Sequence, residues 1–286
     1  MLAPSDASQF RAALVQMRSG RDVARNVRDA LGLIREAAAT GAQYIQTPEV
    51  TTLMELERDR LLAVSQPETG NEALAAFTGL AHDLKIWLHI GSMGITVDGG
   101  KLANRSYLIA PDGTIAARYD KIHMFDVDLG NGDVYRESEN YAAGGKAVLG
   151  ALPWGGLGMT ICYDLRFPAL HRALAKGGAK FIAIPAAFTR VTGAAHWHTL
   201  LRARAIETQS YVFAAAQGGL HETGRETFGH SLIVSPWGQI LAEGGTDPGV
   251  VVADIDLTII DDVRRKLPSL THDRSFELDK TGIKGS

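Results

Sequence analysis

The chain has a single cysteine, Cys162, among 286 residues. It cannot close a disulfide within itself, so nothing in it asks for an oxidising compartment. It has little excess of either charge: 29 Lys and Arg stand against 32 Asp and Glu, a formal −3. A nucleic-acid partner would require a basic face, which this balance does not offer. No run of about 18 apolar residues is present, so no membrane span or membrane partner is expected. The opening "MLAPSDASQFRAALVQ" lacks a basic region followed by a long apolar core, which argues against a secretory leader. These absences together predict a cytoplasmic protein. No stretch rich in proline, serine and glycine reads as a linker, so residues 1–286 are expected to form one domain, with mobile ends over 1–9 and 277–286. Against these absences stands a 45% hydrophobic content, enough for a large core.

The patterning alternates between two periods. Residues 10–17, "FRAALVQM", read as a strand. Val23, Val27, Leu31 and Ile34 recur at spacings of four and three before Gly41, which predicts an amphipathic helix over 22–41 with a stop signal. "AQYIQTPEV" (42–50) is a short strand halted by Pro48, so the unit is strand, helix, strand with parallel pairing. A helix over 71–85 and a strand over 86–95 follow. Residues 105–121 make a hairpin turning at Pro111-Asp112-Gly113. In the second half, 157–164, 180–188, 211–217 and 249–257 read as strands. Residues 167–179 and 195–209 read as helices, 229–245 as a hairpin turning near Pro236-Trp237-Gly238, and a last short helix ends the series. Helices alternating with hairpins predict mixed sheets covered by helices, an α/β fold.

Cys162 ends the apolar run Met159-Thr160-Ile161 and precedes Tyr163, Asp164 and Arg166. A free cysteine is most often a small buried hydrophobe. A polar turn after a buried strand is where α/β folds gather functional side chains, so a nucleophile is the competing reading. Glu49 follows an apolar strand in "IQTPEV", and Lys121 closes the hairpin in "ARYDKIHMFD". Each alone suits a solvated charge. Together the three supply what acyl transfer needs: a base for a thiol, and a cation for the developing oxyanion.

The motifs "TPEV", "YDKIHMFD" and "ICYDLRFP", in the order Glu, Lys, Cys, resemble the nitrilase superfamily of carbon–nitrogen hydrolases. "AHWHTLLRARAIETQSYV", "FGHSLIVSPWG" and "KLPSLTHDR" match as well, so the resemblance covers roughly residues 10 to 275. It implies a four-layer αββα sandwich whose protomers pair as a homodimer. It implies Glu49 as general base, Lys121 as oxyanion stabiliser and Cys162 as nucleophile, with no metal or organic cofactor. It also implies a second glutamate ahead of a glycine; Glu137 fits by its distance from Gly144, with Glu139 as competitor. "YAAGG" departs from the family's frequent proline there. The Lys121 charge is expected to lower the thiol pKa from about 8.5. The implied substrate is a small carboxylate-bearing amide, with release of ammonia. Deaminated glutathione comes first, because "AAAQGGLHETGRETFGH" resembles that subfamily, and α-ketoglutaramate second. A non-catalytic dimeric scaffold with the same fold is the alternative of another class.

Other residues carry narrower expectations. The resemblance makes Arg166 a holder of a substrate carboxylate, through its bidentate fork; an ion pair with Asp164 is the structural alternative. Tyr163, Phe188 and Thr189 are expected to line the substrate pocket. His196 and His198, two apart on a helix, point different ways and read as structural rather than as a metal pair. His230 and Glu207 read as core or interface hydrogen-bonding groups. Phe125 and Asp126 are candidate walls that the sequence does not separate.

Overall fold

The computed structural model describes residues 8–130, 134–279 and 281. The first sheet contains β1 (Gln9–Gln16), β2 (Tyr44–Gln46), β3 (Trp87–Thr96), β4 (Leu102–Ile109) and β5 (Ile115–Asp120). A ribbon of β6 (Asp126–Asp128) and β7 (Val134–Arg136), then β8 (Tyr141–Ala142), leads to the second sheet. That sheet contains β9 (Val148–Leu152), β10 (Gly155–Met159), β11 (Ala179–Ala183) and β12 (Tyr211–Ala214). After a second ribbon, β13 (Gly218–Leu220) and β14 (Glu226–Phe228), the hairpin β15 (Leu232–Val234) and β16 (Ile240–Glu243) completes it. Last, β17 (Gly249–Asp256) returns to the first sheet and pairs antiparallel with β1 along its full length, from Gln9 opposite Asp256 to Gln16 opposite Gly249. The orders are β17-β1-β2-β3-β4-β5, with β8 beside β4, and β16-β15-β12-β11-β10-β9.

The period-2 pattern of β1 explains the layering. Phe10, Ala12 and Leu14 point into a core shared with Met159, Phe181 and Phe213 of the second sheet. The alternate residues Ala13 and Val15 face a separate core with Ala30 and Ile34 of α1 (Val23–Ala39) and Phe77 of α3 (Glu72–Leu84). On the far side, Leu170 and Leu174 of α5 (Pro168–Lys176) and Leu201 and Ala205 of α6 (Arg190–Thr208) cover the second sheet. This is the expected αββα sandwich with mixed sheets. Among the described residues no helix is long and apolar enough to cross a membrane.

Several boundaries differ from the sequence expectation. α1 starts at Val23 because Asp22 caps it, accepting from Arg25 N. Gln9, expected in a mobile end, is held in β1 by its pairing with β17; most of 1–9 and the end of 277–286 lie outside the described residues. The strand expected through Cys162 stops at Met159, and residues Cys162–Arg166 form a 3-10 turn. The expected strand over 180–188 likewise ends at Ala183, and Ala187 and Phe188 beyond it wall a cavity. α2 (Arg58–Val64), α4 (Glu137–Asn140), α7 (Thr258–Lys266), β9 and the two ribbons complete the fold.

Candidate active site

Glu49, Lys121 and Cys162 come from three separate strand ends. Glu49 lies three residues past β2, Lys121 directly follows β5, and Cys162 lies three residues past β10. The turn carrying Glu49 presses onto β3: a Cβ on Gly91 would stand 2.2 Å from Thr47 O and 2.4 Å from Pro48 O, so only glycine fits. Gly144 plays the same part beside Lys121. Its N–H donates to Lys121 O at 2.7 Å, and a Cβ there would meet Asp120 O at 2.1 Å. The missing proline in "YAAGG" therefore leaves the close approach intact.

Cys162 sits in a left-handed conformation, φ 49°, which costs energy for a residue with a Cβ. The elbow is held by its surroundings. Cys162 N donates to Pro185 O at 2.9 Å. Asp164, fully buried, accepts from Ile161 N (2.9 Å), Tyr119 Oη (2.6 Å) and His123 N (3.1 Å), and its Oδ1 lies 2.7 Å from His123 Nδ1. Asp164 thus braces the elbow and does not pair with Arg166.

Lys121 is 2% exposed. Its Nζ donates to Glu49 Oε1 at 2.8 Å and to both oxygens of Glu137, at 2.9 and 2.8 Å. Asn104 Nδ2 donates to both glutamates, at 3.0 and 3.1 Å. Ala187 N donates to Glu49 Oε2 at 2.8 Å, and Phe125 N to Glu137 Oε2 at 2.7 Å. Glu137, rather than Glu139, is therefore the second glutamate beside the lysine. Glu139 only lines the cavity rim.

Two carboxylates and one ammonium make this buried cluster net negative. Burial alone would raise the Glu49 pKa, but the Lys121 charge and hydrogen bond outweigh it and hold it below the ordinary carboxylate value. Burial opposes charge on Lys121 too, yet Glu137 and Glu49 raise its pKa well above the usual 10.5. The Cys162 thiol is pushed well up, first by burial and then by the Glu49 charge, with Lys121 acting the other way. Lys121 does pull the thiol pKa down, as expected, but burial and the Glu49 charge outweigh it, so the expected net lowering gives way to a net rise. The Lys121 charge is already shared between Glu49 and Glu137, so burial and the Glu49 charge prevail at the thiol.

A cavity of about 360 Å³ opens onto these groups. Tyr163, Phe188 and Thr189 line it as expected, and so does Phe125. Asp126 does not; it accepts from Ser138 N at 3.0 Å. Arg166 does not line it either. Its guanidinium lies 5.1 Å from the Phe188 ring centroid and 5.9 Å from that of Tyr163, with Nη1 3.2 Å from His196 Nδ1. Arg225, which the sequence reading passed over, does line the cavity. Its only sequence signal is a basic residue directly after the Thr223-Gly224 turn in "HETGRETF".

The two α6 histidines do point apart. His196 meets Arg166, whereas His198 Nε2 and His230 Nδ1 each lie 2.8 Å from Glu243 Oε1. The ligand atoms of His198, His230 and Glu243 lie within 4.8 Å of one another, so this group could hold a metal ion. It does not line the cavity. His230 O also accepts from Trp197 Nε1 at 2.8 Å, and Glu207 pairs with Arg204 at 2.7 Å.

The chain has close counterparts among known proteins. The carbon-nitrogen hydrolase family model matches residues 11–265. The chain is 40% identical over 267 residues to a protein of Synechocystis sp. (strain PCC 6803 / GT-S) named deaminated glutathione amidase, covering 92% of this chain and 97% of that one. It superposes with a TM-score of 0.88 on the crystal structure of the Caenorhabditis elegans NitFhit protein, at 35% identity; the match covers 93% of this chain but spans only 65% of that longer one. Saccharomyces cerevisiae Nit3, a member of branch 10 of the nitrilase superfamily, superposes with a TM-score of 0.84 at 29% identity, covering 94% of this chain and 97% of that one. The chain belongs to the carbon-nitrogen hydrolase family of the nitrilase superfamily.

Proposed function

We propose that the protein is an amidase that cleaves a small carboxylate-bearing amide through a thioester on Cys162, with deaminated glutathione as its preferred substrate. The observation that carries the chemistry is the buried Glu49–Lys121–Glu137 cluster beside the Cys162 thiol at the floor of a cavity. The choice of substrate is supported by relatives such as the Synechocystis protein, 40% identical over nearly its whole length.

In this reading Glu49 takes the thiol proton as Sγ bonds to the amide carbon. A thiol with a raised pKa needs that base within reach, and a carboxylate held ionised supplies it. One Lys121 N–H turns from Glu137 to the new oxyanion, and the N–H of Tyr163, the first amide after the nucleophile, donates beside it. The C–N bond then breaks as the proton on Glu49 passes to the leaving nitrogen. Water gives a proton to Glu49 and attacks the thioester. The acid leaves, and the proton returns to the sulfur. With deaminated glutathione the leaving group is the amine of cysteinylglycine. Free ammonia, expected from the sequence, is released only from a primary amide such as α-ketoglutaramate.

We further propose a homodimer. Ile206 on α6 and Trp237 in the β15–β16 turn are 46% and 63% exposed, and a Cβ on neighbouring Gly238 would touch Ile206 Cδ1. Apolar side chains grouped on a surface suit a partner of like kind. A reduced catalytic thiol suits the cytoplasm. The test of function is a side-by-side assay of cysteinylglycine release and ammonia release from the two amides. A clear win for α-ketoglutaramate would reassign the substrate. No turnover of either, with Cys162 intact, would return the non-catalytic scaffold.

A further inference from the structure

The cavity wall carries a second, half-buried cation whose hydrogen-bonding capacity is mostly unused among the described residues. Arg225 directly precedes β14, in the turn that joins it to β13. The turn is pinned by His221, whose N–H donates to Arg225 O at 2.9 Å. The buried His221 ring lies 2.8 Å from Ser19 O and 2.7 Å from Thr227 Oγ1. The base of the side chain is therefore fixed. Its Nη2 donates to Ala187 O at 2.6 Å. Ala187 N donates to Glu49 Oε2, so one residue joins the guanidinium to the catalytic carboxylate. The Arg225 charge reaches far enough to help keep Glu49 ionised.

Among the described residues Arg225 Nε is buried without a hydrogen-bond partner, Nη1 makes no hydrogen bond, and no carboxylate pairs with the group. A buried donor left unpaired is costly, and such a group in a cavity suits a ligand that completes it. The guanidinium lies 5.3 Å from the Tyr135 ring centroid. Tyr135, Phe125 and Tyr163 form a chain of ring contacts, each 5.1 Å between centroids, leading back to the residue after the nucleophile. The other cations of the lining are committed: Lys121 to its two glutamates, and the exposed Arg136 to Val127 O and Tyr135 O. The Glu49–Lys121–Glu137 cluster itself is net negative, so an anion in the cavity needs a cation elsewhere in the lining.

We infer that Arg225 is the specificity residue that holds the carboxylate on the acyl half of the substrate, the half that becomes the thioester. The inference rests on the amidase reading and deepens it. The 2-oxo acid end is common to both candidate amides, whereas only deaminated glutathione has a carboxylate on its leaving half. A guanidinium fork suits a carboxylate, and lysine would keep the charge but lose the fork. Arg225 replaces Arg166 in this part because Arg166 stands behind the Phe188 and Tyr163 rings, outside the lining.

The experiment uses 2-oxoglutarate, the acyl half shared by both amides, as a binding probe by calorimetry. It adds kcat and KM for deaminated glutathione and α-ketoglutaramate, with wild type, Arg225→Met and Arg225→Lys. Arg225→Met is expected to weaken 2-oxoglutarate binding roughly tenfold to hundredfold, with a matching rise in KM for both amides. Arg225→Lys should recover part of each. Unchanged 2-oxoglutarate affinity, or no binding by wild type, overturns the inference. A loss confined to deaminated glutathione overturns it too, because the residue would then hold the leaving half. So does an equal loss of turnover on neutral pentanamide, which marks a structural role. Arg225-dependent binding of 2-oxoglutarate without turnover of either amide supports the subsite and overturns the amidase reading instead.

Discussion

Lys121 Nζ lies 2.8 Å from Glu49 Oε1, and both side chains are 5% exposed or less. The pair is tied to Glu137 by a second contact of 2.8 Å. Removing the lysine leaves two buried carboxylates facing each other, and removing one partner of a buried pair costs about 3–5 kcal/mol. Lys121→Met is therefore expected to lower the unfolding temperature clearly as well as abolish turnover. Glu49→Gln leaves Lys121 paired with Glu137 and should cost less stability, while kcat falls about 10²–10⁴-fold with the base gone. The double variant should be no slower than the worse single one, since groups that act as a unit do not add. Thermal unfolding beside turnover checks this; equal melting of both single variants with wild type would remove the ion pair from the account.

The shifted pKa values set a pH window. Glu49 is held below its ordinary value of 4.5, so its contribution to stability is present above that pH and lost as pH falls through the lower folded value. Lys121 is raised above 10.5, so its contribution is full below 10.5 and lost only as pH rises through the higher folded value. The thiol is raised above 9.0; the unfolded chain ionises first, so stability declines as pH rises past 9.0. We expect kcat/KM to stay level from about pH 6 to 8, because Glu49 is ionised throughout and the thiol is not. A rate that climbs through pH 8 to 9, tracking a free thiolate, would contradict Glu49 as the base.

Cys162→Ala should abolish hydrolysis with the fold retained, since a one-cysteine chain has no substitute nucleophile. Modification tests the base separately. Iodoacetamide should add once to wild type at neutral pH, and at least about tenfold more slowly to Glu49→Gln, because a buried thiol with a raised pKa depends on that carboxylate to ionise. Intact mass against time reads both rates, and equal rates would show a thiol that ionises without Glu49.

Arg166→Leu removes a cation from the backs of the Phe188 and Tyr163 rings, contacts of 5.1 and 5.9 Å. Such contacts contribute about 0.5–1 kcal/mol where exposed, so kcat/KM for either amide should fall by roughly fivefold or less. A hundredfold loss, reversed in part by lysine, would show that Arg166 reaches the substrate after all.

How much of this was legible in the sequence differs residue by residue. The α1 helix, the 105–121 hairpin and the two helices over the second sheet follow from local periodicity, because a 3.6-residue or 2-residue repeat is written into neighbouring residues. The Glu49, Lys121 and Cys162 motifs were also readable, as short strings in a fixed order. The closure of the first sheet by β17 on β1 was not, since it joins residues about 240 positions apart and strand pairing leaves no local mark. Spacing from Gly144 favoured Glu137 but left Glu139 as a competitor. The choice was made by which carboxylate the fold turns toward Lys121 Nζ. The state of the thiol follows from burial and from net charge summed over three strand ends, neither of which belongs to any one motif. Arg166 and Arg225 show the division most sharply. Four residues of sequence separate Arg166 from Cys162, yet its side chain lies behind two rings; Arg225 is 63 positions away and faces the cavity. Sequence determined which chemical groups the protein has and their order along the chain. Tertiary structure alone decided which of them share a desolvated cavity, because that depends on how distant segments pack and not on their distance along the backbone.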